Sequence, residues 1–247
     1  MLFSTLLEDA LYLSWAVPFE AVPTPPAPLR LERLVMPGGD RALVTLVLFR
    51  QYGIRAEALG WPRLSYPQVN LRLAVQDDEA VPSVLLLREL VPAWVVPIAR
   101  TAGGQPASAA LFDFPAPAPT ALAEPRTWAF AAGTRFEVRA QAGAPAPGGQ
   151  GGVGFPGAVA RVRDRPRAYL AAGGRLRRVE REHGPIEAVP AAVELLRVEW
   201  LATRLPAVQP GLWSSPWCAF LVPSARLRFE LEEPRAAALP AQVPAPG

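Results

Sequence analysis

The sequence predicts a mainly β protein, and three observations carry that expectation. Apolar and polar residues alternate along several stretches, most clearly Leu64 to Val75, LSYPQVNLRLAV, as a half-buried strand requires. The 30 prolines among 247 residues cluster between apolar segments, where they remove backbone donors and resist helix interiors. Most apolar segments are short and end at Gly, Pro or Asp turns.

Taken in order, Leu11 to Val17 alternates weakly and reads as a first strand or as the end of a short helix begun near Ser4, with Glu8 and Asp9 exposed. Val22 to Leu29 is a proline-rich connection. Met36 to Asp40, MPGGD, is a turn leading into Ala42 to Phe49, whose length and Val/Leu content fit a buried strand. In the alternating stretch, Val69, Leu71, Leu73 and Val75 share one face and belong to a core. Gln68, Asn70 and Arg72 share the other face, which either meets water or lines a cavity. An acidic turn at Gln76 to Ala80 joins this strand to Ser83–Leu87 as a hairpin.

Val91 to Arg100 is the helix candidate of the first half, with Pro92 tolerable in a first turn. Ala107 to Phe114, Arg126 to Ala131 and Thr134 to Gln141 are strands, the last two in hairpin spacing around Ala132 and Gly133. Residues 142–157 are a flexible Gly/Pro loop inside one β-rich domain spanning 1–235. Its GGQGGVG, Gly148 to Gly154, is a linker, expected to lack the flanking strand and helix of a phosphate loop. Short apolar segments follow at Ala158 to Val162, Tyr169 to Ala171 and, after the Gly173-Gly174 turn, Arg175 to Glu180. Ala191 to Arg204 reads as helix, because Val193, Leu196 and Trp200 recur at helical spacing. Cys218 to Val222 and Leu227 to Leu231 form a final hairpin, preceded by an aromatic cluster, Trp213, Pro216 and Trp217, expected to fill core or, as the alternative, to form a cavity lid. The tail, 236–247, is expected to be disordered.

Composition removes several functions. All 25 basic residues are Arg and none is Lys, so no side-chain amine can form a Schiff base. Cys218 is the only cysteine and His183 the only histidine, which excludes an intrachain disulfide and a paired-cysteine metal site. No cofactor motif and no metal site are expected. Arg161 to Arg181 holds eight arginines, yet strand alternation scatters them over two faces without interleaved stacking aromatics beyond Tyr169, which argues against nucleic acid. Glu8 and Asp9 break the pattern of a secretory leader, and the longest apolar run, Leu90 to Ala99, is too short to span a bilayer. A cytoplasmic protein without a membrane segment is expected, with self-association left open.

Tyr66 to Val75 with its N-x-R, the apolar strand and helix ending at Ala99-Arg100, RPRAYLAAGGRLRRVEREHGP at Arg165 to Pro185, and CAFLVPSARLRFEL at Cys218 to Leu231 together resemble the YqjF-like family, which is grouped with the acetoacetate decarboxylase-like fold. The resemblance implies an antiparallel, double-layered β barrel or cone with an internal cavity and two or three short helices. Where such relatives often carry a carboxylate two residues before the Asn and an aromatic after the Arg, this chain has Gln68 and Leu73. The decarboxylase works through a lysine Schiff base, a route closed to the side chains here.

Five residues are candidates for ligand binding. Asn70 and Arg72 share a face, and a guanidinium grips a carboxylate by two parallel hydrogen bonds; the alternative is a solvated strand face or a buried Arg paired with a nearby acid. Arg167 and Tyr169 alternate onto one face of a strand that, by the resemblance, borders the cavity. His183, before Gly184-Pro185, titrates near neutrality and could move a proton; the alternative is a loop histidine bonded to backbone. The leading function is binding of a small polar or carboxylate-bearing molecule in the barrel. A lyase- or hydratase-like enzyme using a carboxylate or His183, and a ligand-free interaction scaffold, are the alternatives.

Overall fold

The computed structural model describes every residue except 61, 118–122, 144–153 and 237–247. The chain begins with β1 (Leu2–Pro18), β2 (Arg30–Leu31), β3 (Leu34–Met36), β4 (Gly39–Ala56), β5 (Leu64–Gln76) and β6 (Pro82–Val91). A single helical turn, α1 (Val96–Ile98), runs into a π-turn over Ala99–Gly103. Then come β7 (Ala107–Ala109), β8 (Leu111–Asp113), β9 (Arg126–Ala132), β10 (Thr134–Ala142) and helix α2 (Phe155–Arg163). The chain continues through β11 (Arg167–Ala172), β12 (Arg175–His183), β13 (Val189–Arg197), α3 (Glu199–Arg204), β14 (Cys218–Leu231) and β15 (Arg235–Ala236).

Seven strands close into a barrel in the order β12, β11, β6, β5, β4, β1 and β14, with β14 returning to pair with β12. Closure leaves these strands no free edge. Every neighbouring pair is antiparallel except β6 with β11. This exception to the antiparallel expectation follows from the path of the chain: after β6 it leaves the barrel to build a second layer, and a parallel return needs such a long crossover.

The second layer runs β8, β9, β10, β13 and joins the barrel where Val189 and Pro190 pair with Leu221 and Phe220 on β14. Between the layers lies the main core, where Trp15, Leu46 and Leu71 from the barrel meet Trp128, Phe130, Phe136 and Trp200. Val69, Leu71, Leu73 and Val75 are 0–1% exposed there, each contributing about 1.5–3 kcal/mol by leaving water. Trp213 is core too, edge-on to Trp15, whose indole donates to the Trp213 carbonyl at 3.1 Å.

The barrel interior is divided. At one end Tyr12, Leu43, Val47, Phe49 and Phe220 pack with Ala158, Val159 and Val162 of α2 as a second apolar cluster. The other end is a cavity. A bulge between Glu8 and Leu11 in the β1–β4 register, centred on Asp9 at φ +51°, changes which residues of β1 face inward. Before it Phe3, Thr5 and Leu7 line the cavity, and after it Ala10 and Tyr12 join the apolar plug. A bulge of this kind re-aims side chains without ending the strand.

Several elements differ from the sequence expectation. No helix forms near Ser4, and Asp9 is buried, held by a bidentate ion pair with Arg126 (3.0 and 2.9 Å). Val91 ends β6, so the expected helix to Arg100 shrinks to α1 and its π-turn. Ala107 to Phe114 breaks into β7 and β8. Ala158–Val162 lies inside α2, and a strand and a helix therefore do flank the Gly-rich linker, most of which falls outside the described residues. Ala191–Arg204 is a strand to Arg197 and a helix only from Glu199, because Val193 and Leu195 turn to the core at a period of two once β10 pairs with them. The expected final hairpin is one continuous strand, β14, whose full length pairs with β1. Ala236 pairs with Arg175 in β15; 237–247 lie outside the described residues, as does most of the 142–157 loop, although Ala142 ends β10 and residues 155–157 begin α2. No helix among the described residues is long and apolar enough to cross a membrane.

Candidate functional site

The polar face of β5 turns into the barrel. Gln68, Asn70 and Arg72 line a cavity of about 320 Å³ together with Glu89 from β6 and Arg181 from β12. Strand alternation explains the β5 triad: with Val69 and Leu71 committed to the core between the layers, the intervening residues must face the interior. Arg181 follows Val179 onto the same face of β12.

Glu89 is placed by a bulge. Asn70 pairs with Glu89 and Leu71 with Arg88, but Arg72 pairs with Leu86, so Leu87 is an extra residue in β6. Val84 and Leu86 face inward before the bulge and Glu89 after it. Without the bulge, alternation would have sent Arg88 into the barrel and Glu89 to the outside.

The five polar groups form the floor of the cavity. Tyr12 lies beside Arg72 and favours its charged form. The Gln68 and Asn70 amides meet at 2.9 Å, and when the Asn70 oxygen faces Arg72 Nη2 it accepts at 3.2 Å. The other polar atom of the Gln68 amide is buried without a hydrogen-bond partner among the described residues. Arg181 donates through Nη2 to the Arg165 carbonyl, while its Nε is likewise buried and unpartnered. Arg165 is itself neutralised by Glu32.

Electrostatics on this floor are unbalanced. Burial, then the like charges of Arg72 and Arg165, weakens the hold of Arg181 on its proton, and burial acts the same way on Arg72. Burial also pushes the Glu89 carboxyl up to about 8, against the opposing pull of Arg72. Glu89 is therefore mostly protonated at neutral pH, where Gln105, turned with its amide nitrogen toward it, lies 3.1 and 3.0 Å from the two carboxyl oxygens. Among the described residues the carboxyl on this floor thus favours its neutral form beside two guanidiniums, an arrangement that costs folding energy unless an anion joins it.

Of the five candidates named from sequence, the structure brings Asn70 and Arg72 together on this floor. Arg167 and Tyr169 lie elsewhere. On β11 it is Ala168 and Leu170 that face the cavity, so their odd-numbered neighbours point out of it. Arg167 instead donates to Asp77 (2.8 Å) and Glu180 (3.0 Å), and the Tyr169 hydroxyl to Asp77 (3.0 Å). Burial favours the protonated form of Asp77, but Arg167, the Val81 N–H and Tyr169 outweigh it and hold the carboxyl below its usual range. His183 ends β12, exposed, its Nδ1 2.9 Å from the Gly184 carbonyl oxygen. Glu89 and Arg181 were missed because both strands were read too short, ending at Leu87 and Glu180; for Arg181, its position two residues after apolar Val179 was the available signal. Among the described residues no three His, Cys, Asp or Glu side chains cluster as metal ligands would.

Comparison with known proteins places this architecture. The family model DUF2071, uncharacterized conserved protein, matches residues 5–218. No curated protein matches the chain. Among solved structures, the enduracididine biosynthesis enzyme MppR complexed with pyruvate is similar over 96% of this chain and 90% of its own, with 13% identity and a TM-score of 0.56. An acetoacetate decarboxylase-like enzyme from Sphingomonas wittichii RW1 is similar over 97% of this chain and 92% of its own, with 14% identity and a TM-score of 0.53. At such identities the likeness concerns the fold: this chain has the acetoacetate decarboxylase-like architecture.

Proposed function

This chain belongs to the DUF2071 family, and we propose that its barrel binds a small carboxylate-bearing molecule, with Arg72 and Arg181 holding the anion. The observation that carries this reading is the pair of guanidiniums on one buried floor, with Glu89, the carboxyl that acts on Arg72, pushed toward its protonated form. A bound carboxylate supplies the missing charge to the two guanidiniums, and charge-assisted bonds of this kind are the strong ones. The MppR structure with pyruvate gives the same fold with a small carboxylate bound, which supports the reading by analogy alone.

A second reading is favoured by Glu89. A protonated carboxyl beside an anion site can deliver a proton to a bound substrate, which is the task of a general acid whose pKa lies near the working pH. In this reading the protein is a lyase- or hydratase-like enzyme in which Arg72 and Arg181 orient the substrate and Glu89 moves the proton. With no Lys in the chain, a side-chain Schiff base takes no part in it.

The test is thermal unfolding and calorimetric titration with a panel of monocarboxylates and their matching alcohols, on wild type, Arg72→Met and Arg181→Met. A carboxylate at a hundred times its Kd raises stability by about 2.7 kcal/mol. That shift is expected for wild type and lost in both variants, while the matching alcohols produce a far smaller one. Equal responses in all three proteins would overturn the anion site.

A further inference from the structure

We infer that the ligand is amphipathic: a carboxylate carrying a hydrocarbon tail of medium length, and not a short polar acid. The inference rests on the carboxylate reading above and extends it to the rest of the cavity. Thr5, Gln51, Arg55 and Tyr66 also line the cavity, but most of its wall beyond the floor is apolar. From there toward the mouth the wall is Phe3, Leu64, Leu170, Val179, Phe229 and Leu231, with Phe3 and Phe229 stacked at 5.1 Å between ring centroids.

The register explains how this wall arises. Phe3 pairs with Phe229 on one side and Ala56 on the other, and Arg181 pairs with Phe229. Phe3 and Phe229 thus flank Arg181 at its own level, and the next inward positions on β12 and β14, Val179 and Leu231, are apolar. On β5 the four residues from Gln68 to Leu64 extend about 13 Å at the usual strand rise, so the apolar channel accepts a tail of several methylenes beyond the head. At the rim Leu59 and Ile98 are 70% and 42% exposed, large side chains that continue the apolar path to the surface.

A short polar acid satisfies the floor and leaves this wall facing water. A tail removes the wall from water, at about 0.8 kcal/mol per buried methylene, which is roughly a fourfold gain in affinity for each one.

The experiment is calorimetric titration of the full chain with acetate, butanoate, hexanoate, octanoate and decanoate, with pyruvate and octan-1-ol alongside. Affinity is expected to rise about fourfold per methylene and to level off once the channel is filled, with pyruvate near acetate and octan-1-ol far weaker than octanoate. Leu64→Ser is expected to weaken octanoate severalfold while leaving acetate unchanged. Short acids that bind as tightly as octanoate would overturn the amphipathic ligand and leave the anion site standing. Octan-1-ol binding as tightly as octanoate would overturn the anion site itself, on wild type and without recourse to a variant. Failure of every acid to bind would overturn both.

Discussion

Glu89 stands directly across from Asn70 on the neighbouring strand, and both side chains reach the barrel interior because β6 carries one residue more than β5 at Leu87. This irregularity puts a carboxyl group beside Arg72 in surroundings that hold it protonated, and the two facts together set the chemistry of the floor.

The protonation of Glu89 makes stability depend on pH. Its folded pKa, about 8, lies above the ordinary 4.5, so the folded protein holds a proton that the unfolded chain releases. The contribution is fully present below about pH 4.5 and is lost progressively as pH rises toward 8. Glu89→Gln keeps the neutral form at every pH. Its melting temperature is expected to exceed that of wild type at pH 8.5 by at least ~2–4 °C, the equivalent of 1 kcal/mol in a chain this size, and to converge with it near pH 5. A constant difference across that range would mean that Glu89 is ionised in the fold.

The same proton governs ligand binding. Ionised Glu89 places a negative charge beside the carboxylate site, so affinity for octanoate is expected to fall as pH passes through 8 and to fall less steeply in Glu89→Gln, where the weakly held proton of Arg181 is left to titrate. Titration calorimetry at pH 6.5 and 9 measures both slopes. Parallel slopes in the two proteins would exclude Glu89 as their source.

On the outer face, Asp9 ties the first barrel strand to the second layer. Its bidentate bond to Arg126 is 3% and 9% exposed on the two sides, and Arg126 also lies over the Trp128 ring at 5.1 Å. Removing one member of a buried pair costs about 3–5 kcal/mol. Asp9→Ala is therefore expected to lower the denaturant midpoint by that equivalent, and the exposed pair Arg139 with Glu194 to yield less than about 1 kcal/mol when Glu194 is replaced by Ala. Equal losses would argue against Asp9 as the tie between the layers.

Asp77 acts at the hairpin turn, accepting from the backbone of Glu79 (3.0 Å) and Val81 (2.9 Å) as well as from Arg167 and Tyr169. Its folded pKa is depressed, so its stabilisation is present above the ordinary carboxyl pKa and is lost as pH falls below it. Asp77→Asn is expected to cost at least ~2 kcal/mol at pH 7, in line with several charge-assisted hydrogen bonds, and to narrow its gap to wild type in acid. Chemical denaturation at pH 7 and pH 3 checks both; a gap that widens in acid would contradict it.

The sequence by itself determined the β class, the two faces of Leu64 to Val75 and the absence of a side-chain amine. These follow from alternation and from residue identity, which need no knowledge of what lies opposite. Asn70 and Arg72 were legible as a pair for the same reason, because a strand whose odd positions are core has only one other direction for the even ones. Which surroundings that direction meets was decided by closure of the sheet, a pairing of β14 with β12 between segments far apart in the chain. Arg167 and Tyr169 share a face as alternation says, but closure turned that face away from the cavity and toward Asp77. The bulges at Asp9 and Leu87 likewise answer to partners on adjacent strands. An extra residue shifts the inward parity of everything after it, which is why Glu89 joined the floor only through its partners, whereas Arg181 reached it by plain alternation on a strand that had to close against β14.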